Sequence, residues 1–184
     1  MRIRWAVPVL VMLAAFAFAG CEAPVRRTLP TGIHSLAIKD FSNMTDQPML
    51  SALLLEELRR EFRLDGRFSV VDTQEGADAL LDGTVTDYMR QPARFDANNV
   101  VQEYRLHLAV DLSFKDLKGS TTLWEGKGSA STAAGGGATG RLERYTNYII
   151  VPASGVPAET EQDAQRRMVR ELARDAVIRI IEGR

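Results

Sequence analysis

The chain has 184 residues, with 23 lysines and arginines against 24 aspartates and glutamates, two histidines and one cysteine. This near-neutral balance gives no reason to expect a nucleic-acid partner, because such proteins carry clustered basic charge. A single cysteine excludes disulfides within the chain and cysteine-based zinc sites. The length is sufficient for one domain with a sizeable core.

Residues 1–20 have the layout of a bacterial secretory signal peptide: Arg2 and Arg4 precede an apolar run that ends on small residues. The run, Trp5 to Ala19, has about 15 residues, whereas a helix that spans a bilayer core needs roughly 20. We therefore expect this segment to be removed, which leaves 21 basic and 24 acidic residues and a formal charge of −3.

The lone cysteine follows in the sequence "FAGC", which resembles a lipobox. We expect Cys21 to carry a covalent lipid, through a thioether to diacylglycerol and an acylated amino terminus. We expect the protein to have no cofactor other than this lipid. Two or three acyl chains on one residue give stable membrane attachment, since one chain alone binds only marginally. Residues 21–31 then comprise the lipidated cysteine and a tether with two prolines and no apolar periodicity.

Residues 32–184 are expected to form a single domain. Its first strand is predicted at residues 33–41 and its first helix at 49–66, where apolar residues recur every fourth position. Further strands are predicted at 67–72 and at 77–95, the latter ended or bent by Pro92.

A strictly alternating strand at 104–115 and a shorter one that begins at 121 follow. A flexible glycine-rich loop is expected at 132–157 and a final amphipathic helix at 164–183, opened by Thr160 and Asp163 as a capping box. This order predicts the α+β class, with an antiparallel or mixed β-sheet of about four to five strands and two helices packed on one face.

The residues offer little for catalysis. His34 and His107 are the only histidines, and alternation places His107 beside Arg105 on the polar, solvated face of its strand. The aspartates at 78, 82 and 87 divide between two faces, so no metal cluster is predicted. We expect a binding or scaffolding protein, not an enzyme.

The order "GIHSLAIKDFSNMT", amphipathic helix, "DGRFSVVD", "ADALLDGTVTDY", "QEYRLHLAVDLSFKD" and a terminal helix opened by "AETEQDAQ" resembles the LPS-assembly lipoprotein family, LptE. The resemblance covers most of the chain after the lipobox. It implies a lipid-anchored α+β domain on the periplasmic face of the outer membrane. There it would plug the LptD β-barrel, support its assembly and assist lipopolysaccharide transport to the cell surface.

The resemblance gives a possible role to residues 89–99, "MRQPARFDANN", predicted as a loop between two strands. Arg90 and Arg94 are candidates to pair with lipid A phosphates, and Phe95 to contact an acyl chain or the barrel wall. The alternative is an ordinary solvated hairpin tip.

A second functional interpretation comes from a different class of protein. The strand, helix, strand opening also resembles lipoproteins that activate penicillin-binding proteins, and those of the curli secretion channel. This alternative is a periplasmic lipoprotein regulator of a penicillin-binding protein or a secretion-channel component. The long alternating hairpin, the glycine-rich segment and the single terminal helix favour the LPS-assembly interpretation.

Overall fold

The computed structural model describes residues 32–126, 141–151 and 157–182. Cys21, the predicted tether and the glycine-rich residues 132–140 lie outside the described residues, as does 152–156. The helices are α1 (Met49–Asp65) and α2 (Glu161–Glu182). The strands are β1 (Ser35–Ile38), β2 (Ser42–Asn43), β3 (Ser69–Val71), β4 (Ala79–Phe95), β5 (Val101–Asp116), β6 (Thr121–Gly126) and β7 (Leu142–Ile149).

The strands form one mixed sheet in the order β3-β1-β4-β5-β6, with β2 also paired to β4 and β7 to β5. Strand β1 runs parallel to β3 and β4, whereas β5 runs antiparallel to β4, β6 and β7. The α+β class is therefore confirmed, with seven described strands rather than four or five. The two extra strands are β2, of two residues, and β7, which takes the part of the β5 edge that β6 leaves free.

The periodicity that predicts α1 also explains its packing. Leu50, Leu54, Leu58 and Phe62 are buried, and the helix ends at Gly66, whose left-handed backbone (φ 73°) donates its N–H to the carbonyl of Phe62. Glycine adopts this conformation at little cost, which is why it commonly ends helices.

Both helices pack on one face of the sheet, as predicted. The core joins apolar residues of α1 and α2 to alternate residues of β5, namely Leu106, Leu108, Val110, Leu112 and Phe114. Each such side chain stabilises the fold by about 1.5–3 kcal/mol when fully buried. Across the helix pair, Arg170 and Arg174 of α2 lie 3.6 and 3.8 Å from the buried carboxylates of Glu57 and Glu61. We call the sheet face turned away from the helices the open face.

The prediction that residues 89–99 form a loop was wrong for most of that range. Strand β4 continues past Pro92 to Phe95 and pairs with β5 throughout, with register shifts on either side of Arg94. Proline lacks an N–H for the ladder, so an irregularity at this point is expected, but it does not end the strand. The turn itself is short, and the Asp96 carboxylate accepts the N–H groups of Asn98 and Val100. We call residues 88–105, the outer part of this hairpin, the ribbon.

The predicted loop at 132–157 contains strand β7, so a loop interpretation does not apply to Leu142–Ile149. The chain that follows β7 covers part of its outer edge. The carbonyl of Ile149 accepts the N–H of Glu159 (2.8 Å), and the carbonyl of Asn147 accepts Nη2 of Arg167 (3.1 Å). Such contacts satisfy backbone groups that an edge strand would otherwise expose.

Asp78 holds together the start of β1, the start of β4 and the turn after β5. Its carboxylate accepts the backbone N–H groups of His34 (2.8 Å) and Ser35 (2.9 Å), and Nζ of Lys118 lies 2.5 Å away. The lysine, followed by the two backbone donors, holds the pKa of Asp78 well below its usual range.

We expect Asp78→Asn to lower the free energy of unfolding in a pH-dependent way. Because the pKa is depressed in the folded state, the contribution of Asp78 is complete above its unfolded pKa of about 4 and is lost as the pH falls below it. Urea titrations should therefore show the largest difference from wild type near neutral pH. The exposed Asp72→Asn variant is the control. A difference for Asp78→Asn that stays constant into strong acid would contradict the assignment.

Candidate functional site

A cleft of about 1010 Å³ opens where the first turns of both helices approach β4. Its apolar lining lies on α1, and we call its polar lining on β4 and α2 the polar wall. Helix α1 contributes Met49, Ala52, Leu53 and Glu56, strand β4 contributes Tyr88 and Arg90, and helix α2 contributes Glu161, Gln162, Gln165 and Arg166. The cleft lies at the inner end of the ribbon, on its helix-facing side.

The start of α2 is set by the capping box that the sequence predicts. The Thr160 hydroxyl oxygen accepts the N–H of Asp163 (3.2 Å) and the hydroxyl lies 2.6 Å from the Asp163 carboxylate. This interaction satisfies a backbone donor that has no partner within the helix. It also places Glu161, in the first turn, against β4.

Glu161 is the centre of the polar wall. Its carboxylate accepts the hydroxyl of Tyr88 (2.7 Å) and pairs with Nη1 of Arg90 (2.5 Å), while Gln165 donates to the Tyr88 hydroxyl (2.8 Å). Burial raises the pKa of Tyr88 above its usual range, and the hydrogen bond to Glu161 raises that of Arg90. Tyr88 therefore stays neutral and Arg90 stays charged at physiological pH.

Arg90 is also packed against aromatic rings. Its guanidinium lies 4.9 Å from the ring centroid of Tyr104, which stacks on the buried Tyr148 at 5.6 Å. Arg90 thus has an ion pair and a cation–π contact within the domain. A phosphate would have to compete with Glu161 for it.

The structure does not bring the three predicted contact residues together. Arg90 faces the helices, whereas Arg94 and Phe95 lie at the far end of the ribbon, four and five residues or roughly 13–16 Å further along the strand. The Phe95 side chain is 53% exposed. Arg94 is half exposed and pairs with Glu103 at 3.2 Å. Arg94 and Phe95 are therefore the accessible part of the predicted contact site.

The alternation of β5 predicted that His107 is a solvated surface residue, and this prediction was wrong. His107 is only 9% exposed, because its ring stacks on Tyr145 of β7 with 4.4 Å between centroids. The strand pattern of β5 alone could not show this, since the covering side chain comes from a strand that the sequence did not predict. Among the described residues, no group of three or more histidines, cysteines and carboxylates is arranged to hold a metal ion.

No helix in the described parts of the chain is both long enough and apolar enough to cross a membrane.

The family profile described as "LptE: Lipopolysaccharide-assembly" matches residues 33–180, which include both helices up to Ile180 and all seven strands. The chain belongs to the LptE family. The resemblance inferred from the order of elements is therefore confirmed, and with it a membrane-associated lipoprotein family that serves lipopolysaccharide assembly. A search of curated proteins found no match.

This LptE-family domain is similar to several solved structures of low sequence identity. The hypothetical protein CT253 from Chlamydia trachomatis is 8% identical, with a TM-score of 0.53 over 82% of this chain and 96% of that one. A putative lipoprotein from Caulobacter crescentus CB15 is 19% identical, with a TM-score of 0.47 over 78% and 87%. Rare lipoprotein B from Shewanella oneidensis is also 19% identical, with a TM-score of 0.40 over 79% and 90%. The first of these shows a common fold and nothing about function.

The Arg90–Glu161 pair can be tested for coupling between the ribbon and α2. A double-mutant cycle of Arg90→Ala and Glu161→Ala should give a coupling energy of about 0.5–1 kcal/mol in urea unfolding. The matched control is the cycle of Asp163→Ala and Arg166→Ala, an exposed pair 3.7 Å apart within α2, for which we expect about 0.2 kcal/mol. Equal coupling in the two cycles would show that the Arg90–Glu161 pair couples the ribbon to α2 no more strongly than an exposed pair within one helix.

Proposed function

We propose that this LptE-family protein is an outer-membrane lipoprotein that plugs the LptD β-barrel, supports its assembly and assists lipopolysaccharide transport. Its anchor is the lipid on Cys21, on the periplasmic face of the membrane. The match of the LptE profile to residues 33–180 carries this proposal. The protein acts by binding, not by catalysis.

The shape of the domain supports a role in which one end is anchored and the other reaches into a partner. The described chain begins at Gly32, close to the start of β4, because His34 donates its N–H to Asp78. Strand β4 has 17 residues, which at about 3.3 Å each extends its far end roughly 55 Å away. Gly32, where the proposed tether would join the domain, and the ribbon tip therefore lie at opposite ends of the domain.

The ribbon end is the part of the domain best suited to meet lipopolysaccharide or the barrel wall. Phe95 and Val100 are each 53% exposed there, and the Arg94 guanidinium remains half exposed although it pairs with Glu103. An arginine in this position can exchange its carboxylate for a phosphate, which it binds through two parallel N–H groups.

The first test is an affinity pull-down of the lipidated protein from detergent-solubilised envelopes, with partners identified by mass spectrometry. We expect recovery of a large outer-membrane β-barrel in a molar amount equal to that of the lipidated protein. Cys21→Ala should abolish lipid attachment and lower barrel recovery in envelopes without lowering the free energy of unfolding. Recovery of a peptidoglycan synthase, of a secretion channel, or of the protein alone would overturn the proposal in favour of the regulator interpretation.

The ribbon end can be tested by the same method. We expect Arg94→Ala combined with Phe95→Ala to lower barrel recovery about 10-fold, equivalent to about 1.4 kcal/mol. The control is Arg63→Ala combined with Leu64→Ala, an adjacent arginine and exposed leucine at the end of α1. Equal recovery with both double variants would exclude the ribbon end as a contact surface.

A further inference from the structure

The open face carries an aromatic side chain in a fixed position. Met89, His107 and Tyr145 lie side by side on β4, β5 and β7, because the sheet register pairs them directly. Tyr145 is 57% exposed, and its ring stacks on that of His107 at an interplanar angle of 21°. One face of the tyrosine ring thus rests against the buried His107 ring, and the rest of the side chain is accessible to solvent.

Two carboxylates flank this ring pair. Oδ2 of Asp87 lies 3.2 Å from Nδ1 of His107, and Oε2 of Glu143 lies 3.7 Å from Nε2. Both ring nitrogens are buried, yet neither makes an aligned hydrogen bond within the described residues. Two carboxylates thus face one imidazole, which can balance at most one of their negative charges. The group formed by Asp87, His107, Glu143 and Tyr145, which we call the acidic aromatic cluster, therefore keeps net negative charge.

The other carboxylates of the open face have cationic partners. Asp82 pairs with Lys115 at 2.7 Å, Asp111 with Arg141 at 3.3 Å, and Glu103 with Arg94 at 3.2 Å. In the part of the chain that the structure describes, neither Asp87 nor Glu143 pairs with a lysine or arginine. The nearest cation along β5 on this face, Arg105, is directed to the side-chain oxygen of Asn147 (3.2 Å).

Net negative charge beside an exposed ring has a specific chemical complement. A lysine or arginine side chain donates hydrogen bonds to the carboxylates, neutralises their remaining charge and lies favourably over the face of a tyrosine. A phosphorylated lipid is unsuited to this position, because its charge has the same sign as that of the cluster. The open face therefore differs from the ribbon end in the kind of partner it fits.

We infer that the acidic aromatic cluster is a docking site for a lysine or arginine side chain of a protein partner. Under the proposed function, on which this identification of the partner rests, that protein is LptD. The docking site itself depends only on the arrangement of the four residues. Under this inference the open face contacts a protein, and the ribbon end remains available to lipopolysaccharide or the barrel wall.

The test places the photo-crosslinking amino acid p-benzoylphenylalanine at position 145 of the full-length lipidated chain in intact envelopes. The control places it at position 74, where Gln74 is exposed in the turn between β3 and β4. We expect a protein crosslink at position 145 that is several-fold stronger than at position 74 and weakens as salt is raised. The absence of a protein crosslink at position 145, or a crosslink mainly to lipopolysaccharide, would overturn the inference.

Neutralising the carboxylates tests the charge directly. With the crosslinker in place, Asp87→Asn combined with Glu143→Gln should reduce the crosslink several-fold, whereas Asp72→Asn combined with Glu75→Gln should leave it unchanged. Equal crosslinking in both double variants would exclude a charge-based contact. Crosslinking at position 145 to a protein other than a barrel would support the docking site and contradict the proposed function. Recovery of a β-barrel in the pull-down with no protein crosslink at position 145 would support the proposed function and contradict the docking site.

Discussion

The long antiparallel pairing of β4 with β5 is the constraint on which the rest of the structure depends. Its register runs from Ala79 opposite Asp116 to Phe95 opposite Val101. Because successive side chains alternate between faces, this register decides which residues meet the helices and which remain on the open face. Both helices and strand β7 are then positioned against β5, and the cleft, the ribbon and the acidic aromatic cluster all follow from that arrangement.

The two faces of the sheet have different chemistry for this reason. On the helix-facing side, Arg90 is neutralised by Glu161 and packed on Tyr104, so its charge serves the domain itself. On the open face, Asp87 and Glu143 keep charges that no described lysine or arginine compensates. A domain of this kind can present an anionic surface to a protein and a more apolar end, at Phe95, to lipid or a barrel wall.

Prediction from sequence succeeded where the signal lies within one element. The four-residue spacing of α1, its glycine end, the Thr160 cap of α2 and the alternation of β5 each appear in the structure as predicted. Prediction from sequence failed where contacts with another strand determine the conformation or the exposure of a residue. Residues 89–99 were interpreted as a loop, but pairing with β5 keeps β4 a strand as far as Phe95. His107 was read as solvated, but Tyr145 covers it.

The sequence by itself determined the class of fold, the apolar faces of both helices and of β5, and the order of elements by which the LptE family is identified. These features depend on local periodicity, which the order of neighbouring residues defines. Only the tertiary structure decided that Arg90 is held by a carboxylate 71 positions away and that Asp87 and Glu143 meet around one histidine. Such contacts depend on strand register and on how α2 packs against the sheet, and no local pattern in the chain specifies either.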